Sequence, residues 1–298
     1  MQDYKIFIDT SADIDPDFFH ENGLGFVPMN YTLGNEDRLC ETIETQEALK
    51  EFYDGQRKGL ATQTSQIPPD RYLKVFGPLL KEGTDILYLS LSSGLTKTYD
   101  NVMLAKEELE EKYPGRHVCA VDSQSATGGI GLLAERAVRN KNNGMDILEN
   151  EKDLNAAACK ICLEFMVDDL MYLKRGGRIP ASTAVLGTML NIKPIMFVNN
   201  NGALSNYAKK RGEKAAMKDL LSNWLQDRDT SYGKRMYICH GDCIDRVNQM
   251  KEMLLKEDPE LDIAICQMTP VIGAHVGPGM MALLYYGDRQ RMITAAGG

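Results

Sequence analysis

The sequence predicts an α/β protein of two domains, an N-terminal parallel sheet with helices on both faces and a C-terminal mixed α/β domain. Three observations predict it. Short apolar runs recur with helix-length segments between them, the alternation that builds a parallel sheet covered by helices. The early runs stop in small polar residues: Asp9-Thr10-Ser11, Ser92-Ser93 and Asp122-Ser123-Gln124-Ser125. Between Asn140 and Asp153 an Asn-Lys-Asn-Asn-Gly stretch and a charged run interrupt the apolar pattern, dividing the chain into 1–150 and 151–298.

In chain order, the apolar runs Tyr4 to Ile8, Gly25 to Tyr31, Asp85 to Ser90 and His117 to Val121 read as strands. Helical spacing of apolar residues predicts helices over Thr45 to Lys58, Pro69 to Glu82, Lys97 to Lys112 and Thr127 to Asn142. In the second half, a helix is expected over Leu154 to Met166, then a basic turn Lys174-Arg175-Gly176-Gly177-Arg178 and a short helix from Ala181 to Leu190. Apolar strands follow at Lys193 to Val198, Met236 to His240, Ile263 to Met268 and Ala282 to Tyr286. The helices Gly212 to Asp227 and Cys243 to Lys256 lie among them, and Gly273 to Gly279 reads as a glycine-rich loop.

At 298 residues the chain is comfortable for two domains, and 43% hydrophobic with 26% charged residues is a globular balance that excludes disorder. The net charge of −8, without a basic stripe interleaved with aromatics, argues against nucleic acid and against a charged membrane surface. No stretch approaches the roughly 20 apolar residues of a membrane span. Met1 to Lys5 runs straight into a strand without the apolar core of a signal peptide, so a cytoplasmic protein with reduced thiols is expected from its seven cysteines. Cys159-x-x-Cys162 and Cys239-x3-Cys243 lack zinc-knuckle surroundings, and no metal or other cofactor is expected.

Chemistry concentrates in three places. Thr64-Ser65-Gln66 and Ser92-Ser93-Gly94-Leu95 set hydroxyls beside segment breaks, the second at the carboxyl end of a strand, where open α/β sheets bind ligands. Such residues also cap helices, and that alternative stands beside the first. His275 sits among glycines that allow close backbone approach, and can act as a base, a phosphate carrier or a donor to an anion. His20 and His117 read as peripheral and His240 as structural. Arg175 and Arg178 bring two guanidinium forks together on a tight turn, suited to phosphate, carboxylate or a partner's acidic face. Gly-x-Ser-x-Gly is absent around Ser93, and neither a Walker loop nor Gly-x-Gly-x-x-Gly follows the first strand.

Taken together, Ile8-Asp9-Thr10-Ser11-Ala12-Asp13, Thr64-Ser65-Gln66, Ser92-Ser93-Gly94-Leu95, Asp122-Ser123, Lys174 to Ile179, Leu190 to Pro194 and Gly273 to Gly279 resemble the DegV family, in order across nearly the whole chain. The resemblance implies a bacterial protein that binds a long-chain fatty acid between its two α/β domains; some members are the acyl-carrying subunit of a fatty acid kinase. By the same resemblance Thr64 and Ser93 contact the carboxyl group, with Ser92, Ser65, the Gly94 amide and His275 nearby. Arg175 and Arg178 then face the partner kinase. The chain departs from the family pattern at Thr96-Lys97-Thr98-Tyr99, where Lys97 replaces a glycine, and at Ser65-Gln66-Ile67-Pro68. Candidate lining residues for the tail are Leu186, Met189, Leu190, Ile192, Met280, Met281 and Leu283, with ordinary core packing as the alternative. The rival function is a stand-alone phosphotransferase using His275, or a small hydrolase using Ser93.

Overall fold

Residues 3–40, 45–180 and 191–289 are described in a computed structural model. The first sheet is parallel throughout, in the order β2 (Gly25–Val27), β1 (Tyr4–Asp9), β6 (Asp85–Ser90), β7 (Val118–Asp122). Helices α3 (Pro69–Lys81) and α4 (Thr98–Lys112) cover one face, and α5 (Gly128–Asn142) and α6 (Ile147–Ala158) the other. The predicted strand from Gly25 to Tyr31 is two strands. It breaks at Pro28, which has no backbone donor, and β3 (Met29–Leu33) leaves for a small antiparallel sheet with β4 (Glu36–Cys40) and β5 (Thr62–Thr64). Between these lie α1 (Pro16–Glu21) and α2 (Gln46–Arg57), the latter capped by the Thr45 hydroxyl, which accepts from the Ala48 amide.

The second sheet is mixed. Its order is β10 (Leu204–Arg211), β9 (Ile192–Val198), β8 (Ile161–Met166), β13 (Met281–Tyr286), β11 (Arg235–His240), β12 (Asp262–Gln267), antiparallel except for β11 beside β12. On its outer side lie α8 (Glu213–Asp227) and α9 (Ile244–Glu257). The helix expected over Leu154 to Met166 is a correction: α6 ends at Ala158 and residues 161–166 form β8. All six β8 residues are buried, so the run carries no alternation to separate strand from helix. The expected short helix from Ala181 to Leu190, and with it Leu186, Met189 and Leu190, lies outside the described residues.

One apolar cluster joins the two sheets. It contains Ile6, Ile8 and Leu89 of the first, Leu163, Phe165, Ala282 and Leu284 of the second, and Ile130, Leu133 and Ala137 of α5 between them. Close approach of α5 depends on Gly128, because a Cβ there would run into the Tyr237 side chain on β11, and one at Gly131 would press on the tip of the same ring.

Candidate functional site

The cavity lies where the carboxyl end of the first sheet meets the inner face of the second, with about 700 Å³ of atom-free space that is partly open to solvent. Leu91 and Leu95 from the end of β6, Leu163 and Phe165 from β8, Val198 from β9 and Leu204 from β10 supply its apolar wall. Thr64, Gln66, Thr96, Thr127, Arg178 and His275 supply the polar groups.

His275 is placed by a helix and not by the loop expected from the glycines. Pro270–Val276 form α10, with Thr269 at the N-cap, Pro270 in the first turn, and Gly277 in the left-handed region at the exit, φ 72°. The helix is pinned at both ends. The Thr269 amide donates to Asp13 Oδ1 at 2.7 Å and its hydroxyl to the Thr10 carbonyl at 2.9 Å. At the other end Gln56 Nε2 donates to the Gly273 carbonyl, which also accepts from the Gly277 amide, and the Thr62 hydroxyl donates to the Ala274 carbonyl, at 3.0 and 3.1 Å. Asp13 also accepts from the Thr127 hydroxyl, and burial pushes its carboxyl up to about 7.

His275 Nε2 and Thr64 Oγ1 share a hydrogen bond of 2.7 Å. Burial, with Arg178 nearby, holds the ring at about 3, so the imidazole is neutral at physiological pH. Its other edge lies against the turn after α7 (Met171–Arg175): a Cβ at Gly176 would overlap His275 Nδ1, which explains glycine there. Gly177, at φ 70°, makes the left-handed step. The two arginines then part. Arg175 is exposed, its guanidinium 4.6 Å from the Tyr172 ring centroid, whereas Arg178 turns inward and donates Nε to the Leu95 carbonyl at 3.1 Å.

The serine loop is held from both sheets. Ser92, fully buried, donates to the Gly202 carbonyl at 2.8 Å and accepts from the Gly94 amide at 3.2 Å. Gly94 packs on the turn before β10, where a Cβ would overlap the Asn201 carbonyl. Ser93 donates its hydroxyl to Asp122 Oδ2 at 2.6 Å and its amide to Asp122 Oδ1 at 3.1 Å. Ser65 is exposed, its amide donating to the Asn30 carbonyl. Lys97 is exposed and pairs with Asp100 at 2.9 Å, so it faces solvent.

Of the residues expected at the headgroup, the structure therefore brings Thr64 and His275 together in the cavity wall, with Ser92, Ser93 and Gly94 in the adjoining loop. Gln66, Thr96 and Thr127 were not anticipated as lining. Thr127 reaches the wall through a positive φ of 51°, for which the sequence offers no signal. Among the tail candidates Met280 lines the cavity, but Met281 and Leu283 point to the opposite face, against Trp224 and Met250, because successive strand residues alternate. Ile192, on β9, is not in the cavity wall. Cys159 is exposed at the end of α6 while Cys162 is buried in β8, and among the described residues no group of three or more His, Cys, Asp or Glu is placed to hold a metal. No helix of the described residues is long and apolar enough to cross a membrane.

This architecture has known counterparts. A DegV domain-containing protein of Clostridium perfringens is 35% identical over 289 residues, 97% of this chain and 99% of that one. A DegV lipid binding protein from Thermotoga maritima superposes with a TM-score of 0.83 at 28% identity, covering 96% of this chain and 98% of that one. A DegV family protein from Thermus thermophilus, described by its fatty acid binding, gives 0.82 at 27%, covering 96% and 100%. The family model described as "Uncharacterised protein, DegV family" matches residues 3–288, and with the fold and these relatives in agreement, the chain belongs to the DegV family.

Proposed function

We propose that this protein binds one long-chain fatty acid in the cavity, with its carboxyl group at the Thr64–His275 end, and presents that group to a partner fatty acid kinase. The observation that carries the reading is a cavity with an apolar wall from both sheets into which the hydrogen-bonded Thr64–His275 pair is set. Burying each methylene is worth about 0.8 kcal/mol, so a tail of about 15 methylenes contributes on the order of 12 kcal/mol before ordering costs. The tail supplies the affinity and the polar end the orientation. Support also comes from the similarity to Thermotoga and Thermus proteins described as lipid binding and fatty acid binding.

Presentation to a kinase is the finer part of the proposal. Hydroxyl and neutral imidazole groups hold a carboxyl by single hydrogen bonds and leave an oxygen reachable. Arg175, exposed on the turn that contacts His275, is the group placed to meet an acidic partner beside that oxygen. The stand-alone hydrolase has less support, since the Ser93 hydroxyl donates to Asp122 and His275 bonds Thr64. The test is to strip lipid from the purified protein, identify it by mass spectrometry, and add back hexadecanoic acid. A rise in melting temperature on add-back is expected, because a ligand of the native state stabilises it. An unchanged melting curve at saturating acid would remove the proposal.

A further inference from the structure

Arg289 follows the last strand of the second sheet and is 3% exposed. It is not in the cavity wall, yet its guanidinium donates to four main-chain carbonyls from three separate segments. Two belong to the layer of the first sheet: Ala158 ends α6, at 3.2 Å, and Gln124 follows β7, at 3.3 Å. Two belong to the second: Val198 ends β9, at 3.3 Å, and Asn199 opens the turn into β10, at 2.7 Å. A planar fork of five donors serves several acceptors in fixed geometry, which an ammonium on a flexible stem does not. Burial disfavours the charged form and lowers its pKa, so the carbonyl dipoles are what hold the charge in place.

Two of these segments go on to hold the serine loop. On the first-sheet side, Ser93 donates its amide and hydroxyl to Asp122, which also accepts from the Gln124 amide at 3.0 Å. The Ser92 amide donates to the Ser125 carbonyl at 3.0 Å. On the second-sheet side the turn 199–203 is tied to itself. The Asn199 carbonyl that Arg289 reaches also accepts from the Gly202 amide, and Asn199 Oδ1 accepts from the Asn201 and Ala203 amides. The Gly202 carbonyl then takes the Ser92 hydroxyl at 2.8 Å, and a Cβ at Gly202 would overlap Ser92 Oγ. These bonds make the turn one unit, so a shift at Asn199 reaches Ser92. Cavity-lining residues flank both sides of the joint: Leu91 and Leu95 beside the serines, Val198 and Leu204 beside the turn.

We infer that Arg289 is a positioning residue for ligand binding: from outside the cavity it clamps the 122–125 loop and the 199–203 turn onto the serine loop, and so sets the spacing of the apolar wall where the two sheets meet. This rests on the fatty acid reading above and names part of the frame behind the same site. Arg289 touches no wall residue's side chain in this role. It acts through the carbonyls of Gln124 and Asn199, and their hydrogen bonds carry its effect to Ser93 and Ser92.

The experiment measures hexadecanoic acid affinity by calorimetry on the delipidated full-length protein, well below each variant's melting temperature. A residue that only stabilises the fold lowers that temperature and leaves affinity unchanged, because the folded fraction stays near one. Arg289→Gln should weaken the acid by about tenfold, within the coupling seen among residues of one hydrogen-bond network. Arg289→Lys, which keeps the charge and reaches fewer carbonyls, should recover part of the loss. In a double-mutant cycle with Ser92→Ala, which opens the same joint, the two losses should be less than additive. Native affinity in Arg289→Gln, or strict additivity with Ser92→Ala, would overturn the positioning role while leaving fatty acid binding intact. A variant that fails to fold does not shield the inference, because coupling between ligand and clamp is reciprocal. In the native chain, hexadecanoic acid should therefore slow hydrogen exchange at the Gly202 and Ala203 amides, which lie outside the cavity wall, and unchanged exchange there would equally overturn it. A native chain that binds no hexadecanoic acid would instead remove the fatty acid reading, and this inference with it.

Discussion

Thr64 and His275 are 211 residues apart in the chain and 2.7 Å apart in the structure, a short strand of the small sheet meeting the last turn of a helix. What fixes this pair is drawn from four separate segments of the chain. Asp13 holds the start of α10, Gln56 and Thr62 hold its end, and Gly176 leaves room for the ring.

Gly176→Ala should separate the pair, because the added methyl group overlaps His275 Nδ1. Hexadecanoic acid affinity should fall while the fold persists. Gly177→Ala is the control, since nothing lies within 4 Å of its Cβ and only the φ of 70° is strained, at about 1 kcal/mol. Equal affinity losses in the two variants, measured by calorimetry, would show that the turn acts through backbone strain and not through the ring.

Thr64→Val should weaken acid binding by about 1 kcal/mol or more, the value of a hydrogen bond made to the ligand. Ser93→Ala should act mainly on stability, lowering it by about 1 kcal/mol, because the hydroxyl it removes donates to Asp122. Denaturant melts and binding isotherms on both variants separate these effects. A greater loss of acid binding in Ser93→Ala than in Thr64→Val would move the headgroup toward the serine loop.

Arg175→Glu should leave hexadecanoic acid affinity within about 1 kcal/mol, as for an exposed group, and weaken association with an acidic partner through charge mismatch. Binding to a purified fatty acid kinase, read by surface plasmon resonance at two ionic strengths, checks this. Unchanged association with the kinase would take Arg175 out of the proposed contact.

Glu164 is buried in β8, accepting from Tyr285 and Asn223, and burial pushes its carboxyl from 4.5 up to about 7. The folded chain therefore keeps a proton that the unfolded chain has released between those values, and stability from this group is lost as pH rises through the window. His240 and His275, held at about 4 and 3, have the opposite slope below 6.5 and mute the native profile. The clean readout is the difference between Glu164→Gln and the native chain. It should move in favour of the variant from pH 4.5 to about 7, by on the order of 3 kcal/mol in full, then level off. A difference independent of pH in urea melts would refute the assignment.

Much of the architecture is legible along the chain because its signals are local. Capping Thr45, Pro69 in a first turn and apolar residues at helical spacing mark α2, α3 and α4 within a residue or two of their observed ends. Short apolar runs that stop in small polar residues mark β1, β6 and β7, and the DegV resemblance rests on short motifs in order. Local signals failed where burial erased them. In β8 both faces are covered, so a strand looked like the continuation of a helix, and around His275 the glycines that serve as a helix cap and a contact with Tyr172 looked like a loop.

By itself the sequence determined the class of fold, the family, the segments that carry chemistry and the residue types available there. Only the tertiary structure decided which of those residues face one another. Strand alternation sent Met281 and Leu283 away from the cavity and left Phe165 in its wall, the Gly176 contact seated His275 against Thr64, and the turn pointed Arg178 inward while Arg175 stayed in solvent. The reason is physical: propensity and patterning act over a few residues, whereas a side chain's direction is set by packing between elements hundreds of residues apart.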